Sequence, residues 1–192
     1  MGDARSKKRF IKIPSQVLSM DVDPEWIGSK VDDVLTDEWI EGFELGWSWI
    51  VDLEREIYDL YPYEGDSKFL RILYDAGYNS GERLGEGILN YFELGSKGLK
   101  ERACYFDAFL SKIQLVRIEF SKEGDHRALT FVGGTPFART FKEVVDGVIC
   151  YHTAGLIAGC TKALFDKDVV VIESRCFARG DDDCEFQIWP DE

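Results

Sequence analysis

GVICYHTAGLIAGCTKALFDKDVVVIESRCFARGDDDCEFQIW, residues 147–189, contains the change of period that decides the fold. Up to Leu164 the run is apolar on every side, which predicts a buried helix. From Asp168 the pattern becomes that of a hairpin. Val169, Val170, Val171 and Ile172 build one strand, Arg179-Gly180-Asp181 the turn, and Glu185–Trp189 the return, with Phe186 and Ile188 opposing Gln187 and Trp189.

The same stretch holds three thiols and a carboxylate: Cys150, Glu173, Cys176 and Cys184. In a hairpin centred on Gly180, Cys176 and Cys184 face one another, with Cβ atoms about 4.5–5.5 Å apart. Glu173 stands three residues before Cys176. An odd offset along a perfect strand would put the two on opposite faces, so a bulge or strand end near Ser174–Arg175 is required. Cys150 must come from the preceding helix. Such a set suits a tetrahedral zinc ion, and with every position filled by protein the site reads as structural. Arg175 and Arg179 could offset the surplus negative charge. Two other readings fit the same residues: buried small hydrophobes, and a Cys176–Cys184 disulfide.

Working outward, the buried helix extends back to about Phe137, and its Gly155 and Gly159 imply close backbone packing rather than membrane dimerisation. Before it lies a first hairpin, with strands at Ile113–Phe120 and Arg127–Val132 around the turn Lys122–Asp125. Further upstream, helical spacing covers 31–60, 67–92 and 97–110, with Asp32 or Thr36 as the first cap and a turn at Tyr61–Gly65. Residues 1–30 read as a tail interrupted by Pro14 and Pro24, with a short strand around Phe10–Ile13. The fold class is therefore α+β, an antiparallel sheet of about four strands in two hairpins with helices packed on one face. The expected organisation is an extension over 1–30 and a single domain over 31–192, with helices in 31–112 and the sheet and metal region in 113–192.

A formal net charge of −13 repels phosphate backbones and anionic lipid surfaces, which excludes nucleic acid as the partner of the domain. No run of about 18 apolar residues predicts a membrane span. Five cysteines, an odd number without a signal-peptide pattern, point to reduced thiols and a cytoplasmic protein. Met1–Ser6 fits the short myristoylation pattern, and Arg5, Lys7, Lys8, Arg9 and Lys12 form a basic cluster in the tail. No G-x-G-x-x-G follows a strand and no Ser/His/Asp arrangement stands out, so no catalytic residue is named. His152 reads as a core residue.

The stretch 147–189 resembles the 4-vinyl reductase (4VR) domain. It has the family's Cys (Cys150), a Gly-rich helix (Gly155, Gly159), a strand ending in Glu-x-x-Cys (Glu173, Cys176), a Gly-Asp turn (Gly180-Asp181) and Cys-x-Phe (Cys184, Phe186). Tyr74–Gly81 is similar to the family's first glycine-containing helix, and Gly134–Ala138 to the segment before its long helix, so the resemblance runs from about Phe69 to Trp189. It implies the ligand-binding fold of the NO-signalling and Golgi-transport type, shared with phenol- and xylene-responsive activators and with Golgi-tethering subunits. It also implies structural Zn2+ on Cys150, Glu173, Cys176 and Cys184. The sensors orient a phenol hydroxyl with a His and a Trp ahead of the long helix. This chain has only His126 and His152, and Phe131 lies near the Trp position, so phenol specificity is not carried over.

The function expected is binding or sensing of a hydrophobic or aromatic small molecule, in a pocket drawn from Phe106, Phe109, Phe131, Phe137, Tyr151, Ala154, Gly155 and Val171. The alternatives are a reductase or accessory protein of tetrapyrrole metabolism and a tethering subunit. Trp39, Trp47 and Trp49 on the first long helix offer a face for a homodimer.

Overall fold

A computed structural model describes residues 24–60, 68–113, 117–123, 126–133, 135, 138–139 and 147–190; side chains of 43–45, 57, 60 and strands 117–132 are outside the description. Five helices and four strands are present among these residues. The helices are α1 (Pro24–Asp32), α2 (Asp37–Leu60), α3 (Lys68–Tyr91), α4 (Leu99–Lys112) and α5 (Tyr151–Phe165). The strands are β1 (Arg117–Glu123), β2 (His126–Val132), β3 (Val169–Arg175) and β4 (Glu185–Pro190), in the antiparallel order β1-β2-β4-β3. The class is α+β, as expected. The readings for Phe10–Ile13, the 61–65 turn and the basic tail lie outside the described residues.

Several boundaries move, each for a local reason. Pro24 does not interrupt structure but opens α1, where its missing N–H costs nothing. Ile27 and Val31 of that helix are buried, so the boundary expected at residue 30 falls inside an ordered helix. The helix expected over 31–60 is two, because the chain turns at 33–36 and Thr36 Oγ1 accepts from the Trp39 N–H to cap α2. Ile113, expected to open a strand, ends α4 instead, its N–H bonded to the Phe109 carbonyl. The buried helix does not run on from Phe137 as one element: Gly147 has φ 112°, a left-handed backbone that glycine alone adopts cheaply, and α5 starts after Cys150.

In the second hairpin β3 alternates: Val169, Val171 and Glu173 are buried while Val170 and Ile172 are exposed. Phe186 and Ile188 of β4 share the buried face. Helix α5 covers that face and α3 covers α5.

What brings α3 and α5 together is glycine from both sides. A Cβ on Gly155 or Gly159 would collide with the Tyr74 or Tyr78 carbonyl of α3. One on Gly77 or Gly81 would collide with the His152 or Leu156 carbonyl of α5. The Cys160 thiol donates to the Gly81 carbonyl at 3.1 Å across the seam. No side chain separates the backbones, so neither helix can slide without a steric clash.

Gly159→Ala is expected to destabilise the protein by about 1–3 kcal/mol through overpacking, despite alanine's better helix propensity. Gly87, also in α3 but with nothing within 4 Å of an added Cβ, gives the opposite sign: Gly87→Ala should stabilise by about 0.5–1 kcal/mol. Urea titration of the two variants checks the pair.

Candidate metal centre

Three elements converge on one point. Cys150 is the N-cap residue of α5, Glu173 sits near the end of β3, and Cys176 and Cys184 flank the turn of the second hairpin. The β3–β4 register shifts between Glu173 and Arg175, the irregularity that the odd offset demands. Beyond it, Phe177–Arg179 form one 3-10 turn and Gly180 takes φ 98°. The ligand atoms of Cys150, Glu173, Cys176 and Cys184 all lie within 4.8 Å of one another, and all four residues are buried. Cys104 and Cys160 take no part.

The knuckle is held by its own polar side chains. Asp181 Oδ2 accepts from the Cys176 N–H at 2.8 Å and from Arg179 Nε at 2.9 Å, and Arg179 also donates to the Ser174 carbonyl at 3.1 Å. Arg179 and Arg175 thus spend their charge mainly on neighbouring acids, Asp181 and Glu185 respectively, rather than on the cluster. Thr135 Oγ1 lies 3.0 Å from Cys150 Sγ and accepts from the Ala138 N–H, a contact the sequence reading did not foresee. Its only signal was its place in the glycine-rich segment before the helix.

The donor set fits a dication on two independent observations. Glu173 Oε2 accepts from the backbone N–H groups of Ile149 and Cys150 at 3.0 and 2.9 Å, while its buried Oε1 has no hydrogen-bond partner. A carboxylate oxygen left this way in a buried cluster of thiols is costly unless a cation takes it. Second, Cys150 Sγ and Cys184 Sγ are 3.8 Å apart. That is the edge of a tetrahedron whose metal–sulfur bonds are about 2.3 Å. The five cysteines are all free, so the disulfide reading does not hold.

Protonation follows from burial and from the thiols themselves. Burial pushes the Glu173 carboxyl up to about 7. Burial and hydrogen bonding to the other thiols push Cys150 well above its ordinary value. At Cys176 a hydrogen bond with Cys150 pulls the thiol down, but one with Cys184 and burial outweigh it and carry it up to about 12. Hydrogen bonds from Cys150 and Cys176 hold Cys184 far below the usual thiol range. Without a cation the cluster is thus one thiolate solvated by two thiols.

The sequence-named pocket residues divide. Tyr151, Ala154 and Val171 line a half-open cleft of about 310 Å³ together with Tyr74, Val148, Val170 and Ile172, and its floor includes Cys150 and Glu173. Phe106 and Phe109 are instead buried in the core, and Gly155 is spent on the α3 contact. Phe106, Phe109 and Gly155 therefore do not line the cleft, because close packing already occupies them. The side chain of Phe131 and residue Phe137 are outside the described residues. Tyr74, missed by the sequence reading as a lining residue, accepts the Val171 N–H of the edge strand at 3.2 Å.

Residues 136–190 match the family model of the vinyl-4-reductase (4VR) domain, the family whose motif Cys150, Glu173, Cys176 and Cys184 carry. An uncharacterized protein of Methanocaldococcus jannaschii is 55% identical over 40 residues, a match that spans 21% of this chain and 22% of that protein. Among solved structures, the phenol-responsive sensory domain of the transcription activator PoxR, crystallised with phenol, shares the fold. Its TM-score is 0.57 and its identity 18%, covering 73% of this chain and 72% of that one. A trafficking protein particle complex subunit 3 from Naegleria fowleri, covalently bound to palmitic acid, aligns with a TM-score of 0.58 and 19% identity over 78% of this chain and 97% of its own. At these identities the likeness shows the fold alone.

Cys176→Ser is expected to abolish stoichiometric metal and to lower Tm by about 10 °C, taking about 3–4 kcal/mol lost and about 3 °C per kcal/mol at this size. Inductively coupled plasma mass spectrometry and calorimetry read both; full metal content in the variant contradicts the assignment. Affinity should also rise with pH, because binding releases protons. At about pH 7.5–9 a dication must displace protons from Cys150 and Cys176, giving about 100-fold per pH unit. Below pH 7 Glu173 adds a third proton and the slope steepens. Chelator competition across this range measures it, and a flat profile contradicts it.

Proposed function

We propose that the protein binds a hydrophobic or aromatic small molecule in the cleft between the start of α5 and the edge strand β3, and that a structural Zn2+ on Cys150, Glu173, Cys176 and Cys184 fixes the walls of that cleft. The observation that carries the reading is the shared boundary. Cys150 and Glu173 belong both to the thiol–carboxylate cluster and to the cleft. Apart from those two, the lining is almost wholly apolar or aromatic, and its size suits a small ligand. The two fold relatives support the same class of guest, since phenol and palmitate each join an apolar body to a small polar group. With four protein donors the metal has no open position for water or substrate, so the metal's part is to brace the fold rather than to react.

A homodimer is part of the proposal. Trp49 and Leu53 stand one turn apart on the outer face of α2 with 71% and 61% of their surface exposed, an unusual cost for a monomer.

Native mass spectrometry of freshly purified protein tests these points in one measurement. The expected spectrum shows a dimer carrying one zinc per chain and, under gentle activation, a small organic mass that Ala154→Trp removes by filling the cleft. Protein that carries metal but takes up no apolar probe, such as toluene or naphthalene, before and after that substitution overturns the ligand reading. Absence of metal overturns the bracing role.

A further inference from the structure

On the far side of the first turn of α5, away from the cleft, lies a second group of buried polar side chains. Glu54 of α2 and His152 of α5 are 4% and 6% exposed, and Glu54 Oε1 and His152 Nδ1 each lack a hydrogen-bond partner. The two atoms are 3.9 Å apart, too far for a bond to each other. Burial alone pushes the Glu54 carboxyl up to about 8, so at neutral pH it holds its proton mostly. The ring of Trp47 meets the imidazole edge-on at 5.5 Å, and Val51 is buried one turn along the same face of α2. Two polar groups are thus paired in an apolar setting that satisfies neither.

The geometry points to a binding site for a hydroxyl group on an apolar body, held between Glu54 Oε1 and His152 Nδ1 beside Trp47. One oxygen about 2.8 Å from each of two atoms 3.9 Å apart subtends an angle near 90°, within reach of an alcohol oxygen that donates along one direction and accepts along another. The carboxyl O–H donates to that oxygen, and the hydroxyl donates in turn to the imidazole nitrogen. An ammonium group could not accept and a carboxylate could not donate, so the pair selects a neutral hydroxyl. A site built this way discriminates sharply against the analogue lacking the group, because the analogue strands both buried partners.

The test uses two probes of similar shape, cyclohexanol and methylcyclohexane, with the full-length metal-loaded protein. Titration calorimetry is expected to show cyclohexanol bound at least about 10-fold more tightly. In Glu54→Leu that ratio should fall to about one, while Ala154→Trp, which fills the separate cleft, should leave it unchanged. The chain has two histidines, so ¹⁵N-histidine labelling with His126→Gln assigns His152, whose Nδ1 resonance should move with cyclohexanol and stay still with methylcyclohexane. This readout needs no change at position 54 and stands even where Glu54→Leu fails to fold. Equal affinities, no binding of cyclohexanol, a preference that survives Glu54→Leu, or an Nδ1 resonance unmoved because water or a direct Glu54 contact closes the pair each overturn the inference.

Discussion

The structure turns on the meeting of Cys150, Glu173, Cys176 and Cys184. A carboxylate and three sulfurs buried within 4.8 Å of one another repel as anions and leave hydrogen-bonding capacity unused as neutral groups. Neither state is a comfortable end point for a folding chain. A tetrahedral dication resolves both problems together, which is why the donor set reads as a metal site rather than as a hydrophobic core that happens to contain sulfur. The consequence is mechanical. One ion would tie the N-terminus of α5 to the bulged end of β3 and to the turn before β4, elements that otherwise meet mainly through apolar contact.

The rest of the fold prepares that meeting. Glycine on both sides of the α3–α5 seam brings the backbones into contact and fixes the axial position of α5, and with it the height of Cys150. Glu173 Oε2 completes the placement by accepting the two N–H groups at the start of α5. At a helix N-terminus those donors lack partners within the helix, and a carboxylate there is favoured by the helix dipole as well. Glu173 therefore does two things with its two oxygens: one caps a helix, the other remains for a cation. On the hairpin side, Asp181 and Arg179 shape the turn so that Cys176 faces inward.

Much of this was legible in the chain, for identifiable reasons. A hairpin with one buried face writes its register into alternating residues, so β3, β4 and the opposition across Gly180 could be read directly, and the odd Glu173–Cys176 offset required the observed bulge. The start of α5 was not legible, because Val144–Cys150 is as apolar as the helix that follows; periodicity reports burial and says nothing of a backbone that bends at Gly147. The pocket list failed at Phe106, Phe109 and Gly155 for a related reason. An aromatic or small residue looks the same in sequence whether it lines a cavity or fills a core, and here packing won. The glycine seam was half-read: Gly155 and Gly159 stood out, but the answering Gly77, Gly81 and Gly85 gain meaning only when the two helices are seen facing one another.

The first turn of α5 therefore carries different chemistry on its two sides. Cys150, Tyr151 and Ala154 face the cleft and the metal ligands, while His152 turns toward α2 and Glu54. Since α5 is locked axially by the glycine seam, a change in how α2 lies against His152 cannot be absorbed by sliding the helix. It must be taken up by side-chain rotation or by α2 itself, and α2 is the element whose outer face exposes Trp49 and Leu53. The rigid parts of the molecule are thus α3, α5 and the braced hairpin, and α2 is the part whose position is free to report what the core contains.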